Sequence, residues 1–156
     1  MPVTRNQLVE TTRSFVGTKF GHQGRDAATT GLDCGGLILV VGRRLGLTEL
    51  EFLGYADFPT DGKFDELLEQ TTDLIWERRF PFNFEGTELR PGDLLSFDYG
   101  NGEGTRHLAM VSGWDGRRYR VINAMPDYGV TEHPLAAPFV GRRTTLKAWS
   151  IRGLVD

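Results

Sequence analysis

The stretch Asp33-Cys34-Gly35-Gly36 holds the single cysteine of the chain and has the composition of a helix start that carries a reactive thiol. Asp33 is a favourable N-cap residue, which places Cys34 at the first helical position, where free backbone N–H groups and the helix dipole stabilise a thiolate. We therefore expect the pKa of Cys34 to lie below that of free cysteine. Gly35 and Gly36 leave the backbone beside the sulfur open, so that N–H groups there can hold a substrate oxyanion. The alternative role for Cys34 is that of a small buried hydrophobe on an apolar helix.

A nucleophilic thiol requires a base, and the chain has three histidines. His107 begins the apolar run HLAMVSGW and is the candidate base; the alternative is a strand-end histidine whose hydrogen bonds are satisfied within the fold. His22 lies twelve residues before Cys34, close enough to line the same cleft. His133, next to Pro134, is predicted to be a surface residue. A metal site built from the three histidines is the least favoured reading, because the chain lacks a short spacing such as His-Glu-x-x-His.

Asn123 is a polar residue within the apolar run VINAM, and it is the candidate for orienting His107. The Asp-Gly pair at 115–116 predicts a hairpin turn that places residue 107 opposite residue 124 or 125. Asn123 is then a close cross-strand neighbour of His107, and its side-chain oxygen can accept a hydrogen bond that fixes the imidazole tautomer. The alternative is an asparagine that satisfies the backbone of a bulge or loop.

The elements that must position these side chains follow an α+β order, with helices first and antiparallel strands second. Thr4 and Gln7 have the spacing of a capping box for the first helix, and Asp33 caps the second, which is apolar nearly all round. The predicted helices cover residues 4–16, 33–45 and 63–72. The predicted strands lie near residues 93–98, 106–114, 118–125, 129–135 and 143–153.

The length and composition of the chain fit one globular domain: 156 residues, 39% hydrophobic, with a formal net charge of −3. There is no basic excess that would favour a nucleic-acid partner. No apolar run approaches the roughly 20 residues that span a bilayer. The N-terminal residues do not resemble a secretory signal, so we expect the protein to be cytoplasmic at synthesis. One cysteine excludes an internal disulfide.

Three motifs, LDCGGL, RPGDLLSF and HLAMVSGWDGRRYRVINAM, together resemble the NlpC-type cell-wall peptidases, which are papain-like cysteine peptidases of bacteria and their phages. The resemblance covers roughly residues 5–152, and Cys34, His107 and Asn123 fall on the three catalytic positions of that family. It implies a papain-like α+β fold in one catalytic domain, with the nucleophile at the start of a buried helix that packs on an antiparallel sheet of about five strands. It also implies cofactor-free cleavage of an amide in the peptidoglycan stem peptide, often between D-glutamate and diaminopimelate, through an acyl-enzyme.

The chain departs from the family pattern near the oxyanion site. The family often has a tyrosine about where Phe20 stands here, so His22 or Gln23 would have to supply that donor. Gly35 replaces the serine that more commonly follows the nucleophile. Asp33 is also predicted to contact substrate or to shape the oxyanion site. Residues 20–37 look most like the phage-tail and prophage-tail branch, which implies tail proteins as partners and delivery to the wall on a virion or tail-like particle. Residues 47–90 would shape the substrate groove or dock onto the tail.

Two alternatives to a peptidoglycan peptidase stay open at the level of sequence. One is another amide or thioester acyl transfer on the same scaffold, for which the triad would be identical. The other is a non-catalytic tail-assembly protein that keeps the fold, an option that Phe20 leaves open.

Overall fold

The structure is a computed structural model, and it describes residues 1–51, 63–70, 75–78, 89–136 and 140–156. The helices among the described residues are α1 (Arg5–Arg13), α2 (Cys34–Arg44) and α3 (Lys63–Gln70). The described strands are β1 (Val3–Thr4), β2 (Arg25–Asp26), β3 (Gly31–Leu32), β4 (Ile75–Arg78), β5 (Leu94–Asp98), β6 (Thr105–Trp114), β7 (Tyr119–Met125), β8 (Gly129–Pro134), β9 (Thr145–Ile151) and β10 (Leu154–Val155).

A six-stranded antiparallel sheet in the order β4-β9-β5-β6-β7-β8 forms the centre of the described structure. The predicted α+β class is confirmed, and the five predicted strands correspond to β5, β6, β7, β8 and β9. The sixth strand, β4, comes from a stretch whose sequence pattern is ambiguous, and it pairs with β9 at the sheet edge. The β6–β7 turn is formed by Asp115, whose carboxylate accepts hydrogen bonds from the N–H groups of Arg117 and Arg118.

The helices begin where the sequence predicts and end slightly earlier. The side chain of Thr4 accepts from the N–H of Gln7, and the Gln7 side chain accepts from the N–H of Thr4, which completes the predicted capping box of α1. Helix α1 ends at Arg13 rather than at residue 16, and α3 ends at Gln70 rather than at residue 72. Helix α2 ends at Arg44, and Gly46 follows with a φ of 68°, a left-handed conformation that favours glycine.

Alternating side chains of the sheet build two apolar clusters, one on each face. Leu94, Met110 and Ile122 pack with residues of α1, α2 and α3 in the larger cluster. Their strand neighbours Leu95 and Val111 belong to the second cluster, on the opposite face. Helix α2 is buried over most of its length against the first face, as expected for a helix that is apolar nearly all round.

The loop at residues 18–32, predicted to be polar and irregular, contains the short antiparallel pair β2–β3 and a parallel bridge between Phe20 and Leu32. Of residues 47–90, for which we predict a role in the groove or in docking, the structure describes 47–51, 63–70, 75–78 and 89–90, and the rest lies outside the described residues. Within that segment, Asp65 of α3 accepts a hydrogen bond from the N–H of Thr105, which anchors the start of β6.

Candidate active site

Cys34 is the first residue of α2, and Asp33 is its N-cap, as the sequence predicts. The Asp33 carboxylate accepts from the N–H of Gly36 at 2.7 Å, which satisfies one of the free donors of the first turn. Its second oxygen accepts from the N–H of Gln23 at 2.7 Å, and Arg25 lies 3.4 Å from the first. Asp33 therefore fixes the helix start and the preceding loop against each other.

Gly36 is required by the close approach of that loop. A Cβ at this position would lie 2.2 Å from the carbonyl oxygen of Gly24. Since no side chain tolerates such a contact with backbone, the second glycine after the nucleophile is needed to dock the loop on α2. The sequence pattern indicates an open backbone here, and the structure shows that the loop fills the space at Gly36.

The expected lowering of the thiol pKa is not found. Burial, and secondarily the charge of Asp33, raise the pKa of Cys34 to about 12. The backbone N–H groups of Leu108, Gly35 and Cys34 itself oppose this rise, which shows that donors do surround the sulfur. Desolvation of the thiolate outweighs the helix start because α2 lies within the apolar core.

His107 lies on β6, one residue before Leu108, so the sulfur of Cys34 is adjacent to the backbone of the candidate base. Its ring contacts Phe97 of β5, with 5.3 Å between ring centroids. Burial, and secondarily the electrostatic repulsion that a protonated His133 would exert, lower the pKa of His107 to about 4. His107 is therefore a neutral imidazole at ordinary pH, which is the form that can accept a proton.

The pairing of β6 with β7 stops short of His107. The recorded pairs run from Trp114–Tyr119 to Met110–Ile122, with a bulge between Val111 and Gly113. Extending that register would place residue 107 opposite residue 125, within the predicted range. Backbone pairing with β7 therefore does not by itself hold His107 beside Asn123.

Asn123 is 2% exposed and lies on β7, where it pairs in register with Thr131 of β8. Its side-chain nitrogen lies 2.7 Å from Nε2 of His133. Its oxygen Oδ1 and the Nε2 of His107 are both buried without a hydrogen-bond partner. The structure therefore places a buried acceptor and a buried ring nitrogen on two neighbouring strands, without a hydrogen bond between them.

The prediction that His133 is the histidine most exposed at the surface is wrong, because that histidine is His22. His133 lies on β8, is only partly exposed, and places its Nδ1 2.9 Å from the carbonyl oxygen of Pro134. The β7–β8 register puts His133 two positions from the partner of Asn123, on the same face. Local sequence does not reveal this contact, because it depends on how the turn at residues 126–128 aligns the two strands.

The residues predicted to bind substrate or the oxyanion lie in the loop before Cys34. Phe20 is half-buried and packs against the same core cluster as Cys34. His22 is exposed, and its Nε2 lies 3.3 Å from the side-chain nitrogen of Gln23. The backbone N–H of Gln23 donates to the carboxylate of Asp33. Gly35 is buried at the start of α2, and its N–H is among those near the sulfur.

Tyr99 is a residue of this site that sequence reasoning missed. It follows β5 and stacks at a tilt on Phe97, with ring centroids 6.3 Å apart. Burial raises the pKa of Tyr99, and repulsion from a Cys34 thiolate would raise it further, so the phenol and the sulfur interact electrostatically. The signal in the sequence would have been an aromatic hydroxyl at the end of the strand that pairs with β6.

Two structural findings concern the wider classes of function, each limited to the described ranges. No group of three or more His, Cys, Asp or Glu side chains there is arranged to hold a metal ion. No helix there is long and apolar enough to cross a lipid bilayer.

The fold and the placement of a cysteine at the start of a buried helix beside an antiparallel sheet define a papain-like α+β domain. Among solved structures, the chain is similar to the NlpC/p60 domain of the peptidoglycan hydrolase SagA, with a TM-score of 0.57 and 19% identity over 93% of this chain and 97% of that one. It is also similar to an NlpC/p60 family protein from Bacillus cereus, with a TM-score of 0.60 and 20% identity. That match covers 99% of this chain and 42% of the Bacillus protein. Neither protein-family models nor curated proteins give a match. The fold is thus that of NlpC/p60 domains.

Proposed function

We propose that this protein is a cysteine peptidase that hydrolyses an amide bond in the peptidoglycan stem peptide. The observation that carries the proposal is the position of Cys34, the first residue of α2, with its sulfur surrounded by backbone N–H groups and adjacent to the strand of His107. The fold shared with the NlpC/p60 domain of a peptidoglycan hydrolase supports the choice of substrate class.

In the proposed mechanism, the resting pair is neutral and the proton moves when substrate binds. Sγ of Cys34 attacks the carbonyl carbon while its proton passes to the neutral His107. Backbone N–H groups at the start of α2 hold the oxyanion. His107 then protonates the leaving amine as the C–N bond breaks. Water, activated by His107, attacks the acyl-enzyme and releases the acid, and the thiol regains its proton.

Asn123 is proposed to orient His107 by accepting a hydrogen bond at Oδ1 from Nε2 of the ring. Both atoms are buried and lack a partner, and each supplies what the other needs. The two atoms lie on neighbouring strands of the sheet, so the proposal requires only a local adjustment of the two side chains. Nδ1 of His107 is then the nitrogen left to accept the thiol proton.

The finer features of the proposal rest on resemblance. Cleavage between D-glutamate and diaminopimelate is the bond that NlpC-type peptidases often cut. Association with a phage tail or tail-like particle, and action on the wall after delivery, follow the likeness of residues 20–37 to that branch. Phe20, His22, Gln23, Asp33 and Gly35 are the residues proposed to contact substrate or shape the oxyanion site.

A catalytically weak assembly protein is the second candidate, and one observation favours it. The raised pKa of Cys34 and the lowered pKa of His107 mean that the resting site holds no ion pair. Such a site reacts only if substrate binding moves the proton, whereas a scaffold protein has no such requirement.

Digestion of purified peptidoglycan separates the two candidates. The native chain and Cys34→Ala are incubated with sacculi and with defined muropeptides, and released fragments are identified by mass spectrometry. We expect new amino groups with the native chain and none with Cys34→Ala, which leaves the fold intact. Sacculi left uncut at high enzyme concentration by the native chain would favour the assembly protein. Cleavage of a non-wall amide alone would point to another acyl transfer.

A further inference from the structure

A contact on the side of Asn123 away from His107 limits how its amide can be oriented. Nδ1 of His133 lies 2.9 Å from the carbonyl oxygen of Pro134, and a carbonyl can only accept. Nδ1 therefore carries a proton, and in the neutral form of the ring Nε2 is an acceptor. Because Nε2 lies 2.7 Å from the amide of Asn123, the group that Asn123 presents there must be its NH2.

The order of the strands decides where the other half of the amide points. Strand β7 lies between β6, which carries His107, and β8, which carries His133. Because the NH2 group of Asn123 donates toward β8, its Oδ1 points away from β8 and toward β6. The buried Oδ1 and the buried Nε2 of His107, both without a hydrogen-bond partner, thus lie on these two neighbouring strands.

We propose that His133 is a positioning residue that holds the Asn123 amide with its oxygen toward His107, an inference that rests on the proposed hydrolase function. Without His133 the amide can rotate by half a turn and present NH2 to His107. The Nε2–H of His107 would then face a donor, and the ring would lose the preference for the tautomer whose Nδ1 is free to accept the thiol proton.

The tautomer of His107 is a direct test that needs no substrate. Long-range ¹H–¹⁵N correlation spectra of histidine-labelled protein distinguish Nε2–H from Nδ1–H in the native chain, His133→Leu and His133→Gln. A glutamine oxygen can replace Nε2 as the acceptor for Asn123, so His133→Gln is the conservative control. We expect the Nε2–H tautomer in the native chain and in His133→Gln, and a mixture in His133→Leu. An unchanged His107 tautomer in His133→Leu would overturn the proposal.

Kinetics on a muropeptide then tests whether His133 acts through Asn123. We expect His133→Leu to lower kcat about tenfold or more and to leave KM little changed. The loss should not exceed the roughly 10²–10⁴-fold that a positioned base contributes. In the Asn123→Ala background the same substitution should have almost no further effect. A full additive loss in the double variant would contradict the inference. If no peptide is hydrolysed but the tautomer still depends on His133, the proposed function fails and the positioning role stands.

Discussion

At the scale of single residues, desolvation of the Cys34 sulfur sets the direction in which the pKa of the thiol shifts. The helix start, three nearby N–H groups and the macrodipole favour a thiolate, but the loss of water around the sulfur outweighs them. Burial also disfavours the charged form of His107, and because that form is the protonated one, its pKa falls. Both groups are thus neutral at rest, and in the proposed mechanism substrate binding has to move the proton between them.

Alkylation of Cys34 by iodoacetamide reports this protonation state. The thiolate is the reactive form, and a pKa raised to about 12 leaves only a small thiolate fraction near neutral pH. We expect a rate well below that of free cysteine and rising about tenfold per pH unit across pH ~6 to 10. A rate that reaches a plateau below neutral pH would show that a preformed ion pair exists instead. The unfolded chain in denaturant gives the reference profile.

Asp33→Asn separates the two roles of that carboxylate. Its charge raises the pKa of Cys34, so removing the charge should lower that pKa and speed alkylation several-fold at a fixed pH. The amide has one acceptor oxygen, so either Gly36 or Gln23 loses its partner, at a cost of about 1–3 kcal/mol in unfolding free energy. Asp26→Asn, on an exposed residue of the same loop, is the matched control. Alkylation as slow as in the native chain would mean that desolvation alone sets the thiol pKa.

Residue types and spacing predict that Asp33 is the N-cap and that Cys34 begins the helix, because a helix start depends on local chain geometry. The same local reasoning misjudges the thiol pKa, since burial depends on how α2 packs on a sheet formed from distant residues. It also misses His133, whose contact with Asn123 depends on the register between two strands. The catalytic roles of Cys34, His107 and Asn123 stay predictions until they are measured.

At the scale of elements, the five strands with clear period-two patterns were predictable. Strand β4 was not predictable, because its stretch of sequence has an ambiguous pattern. The β2–β3 pair was not predictable either, because two-residue strands have no measurable period. At that pair the glycines carry the structural information instead, because they permit backbone contacts that are too close for any side chain.

Gly36→Ala tests the docking of the loop on α2. An added methyl would meet the backbone oxygen of Gly24 at 2.2 Å, so loop and helix must separate. We expect a loss of several kcal/mol in unfolding free energy, within the range for severe overpacking. Gly113→Ala is the control, because nothing lies within 4 Å of a Cβ there. Equal melting temperatures for the two variants, by circular dichroism, would refute the docking role.

At the scale of the whole molecule, one buried carboxylate links distant parts of the chain. Asp93, 0% exposed, accepts from the Arg5 guanidinium of α1 at 3.0 Å and from the N–H of Arg90 at 2.9 Å. Its own N–H donates to the carbonyl of Arg90, and Val111 of β6 donates to its carbonyl. The Arg-Pro-Gly-Asp motif therefore joins the first helix to the entry of the central sheet.

Asp93→Ala is expected to destabilise the protein by about 3–5 kcal/mol, because it leaves a largely buried guanidinium without this partner. Asp156→Asn removes the exposed partner of the same Arg5, 3.1 Å away, and should cost less than about 1 kcal/mol. Urea unfolding monitored by tryptophan fluorescence gives both values. A loss of similar size in the two variants would mean that burial of Asp93 does not increase its contribution to the free energy of unfolding.

The pairing of β1 with β10 brings Val3 beside Leu154 and Thr4 beside Val155. The first and last described strands are therefore neighbours in space. The chain could be joined there and cut elsewhere without changing how the elements are arranged. A short glycine-serine linker can join residues 1 and 156. New termini can be placed in the exposed turn at residues 115–118, at the end of β6 opposite His107. Such a circular permutant should keep the fold while converting the β6–β7 hairpin into the longest-range contact of the chain, and it should fold more slowly for that reason.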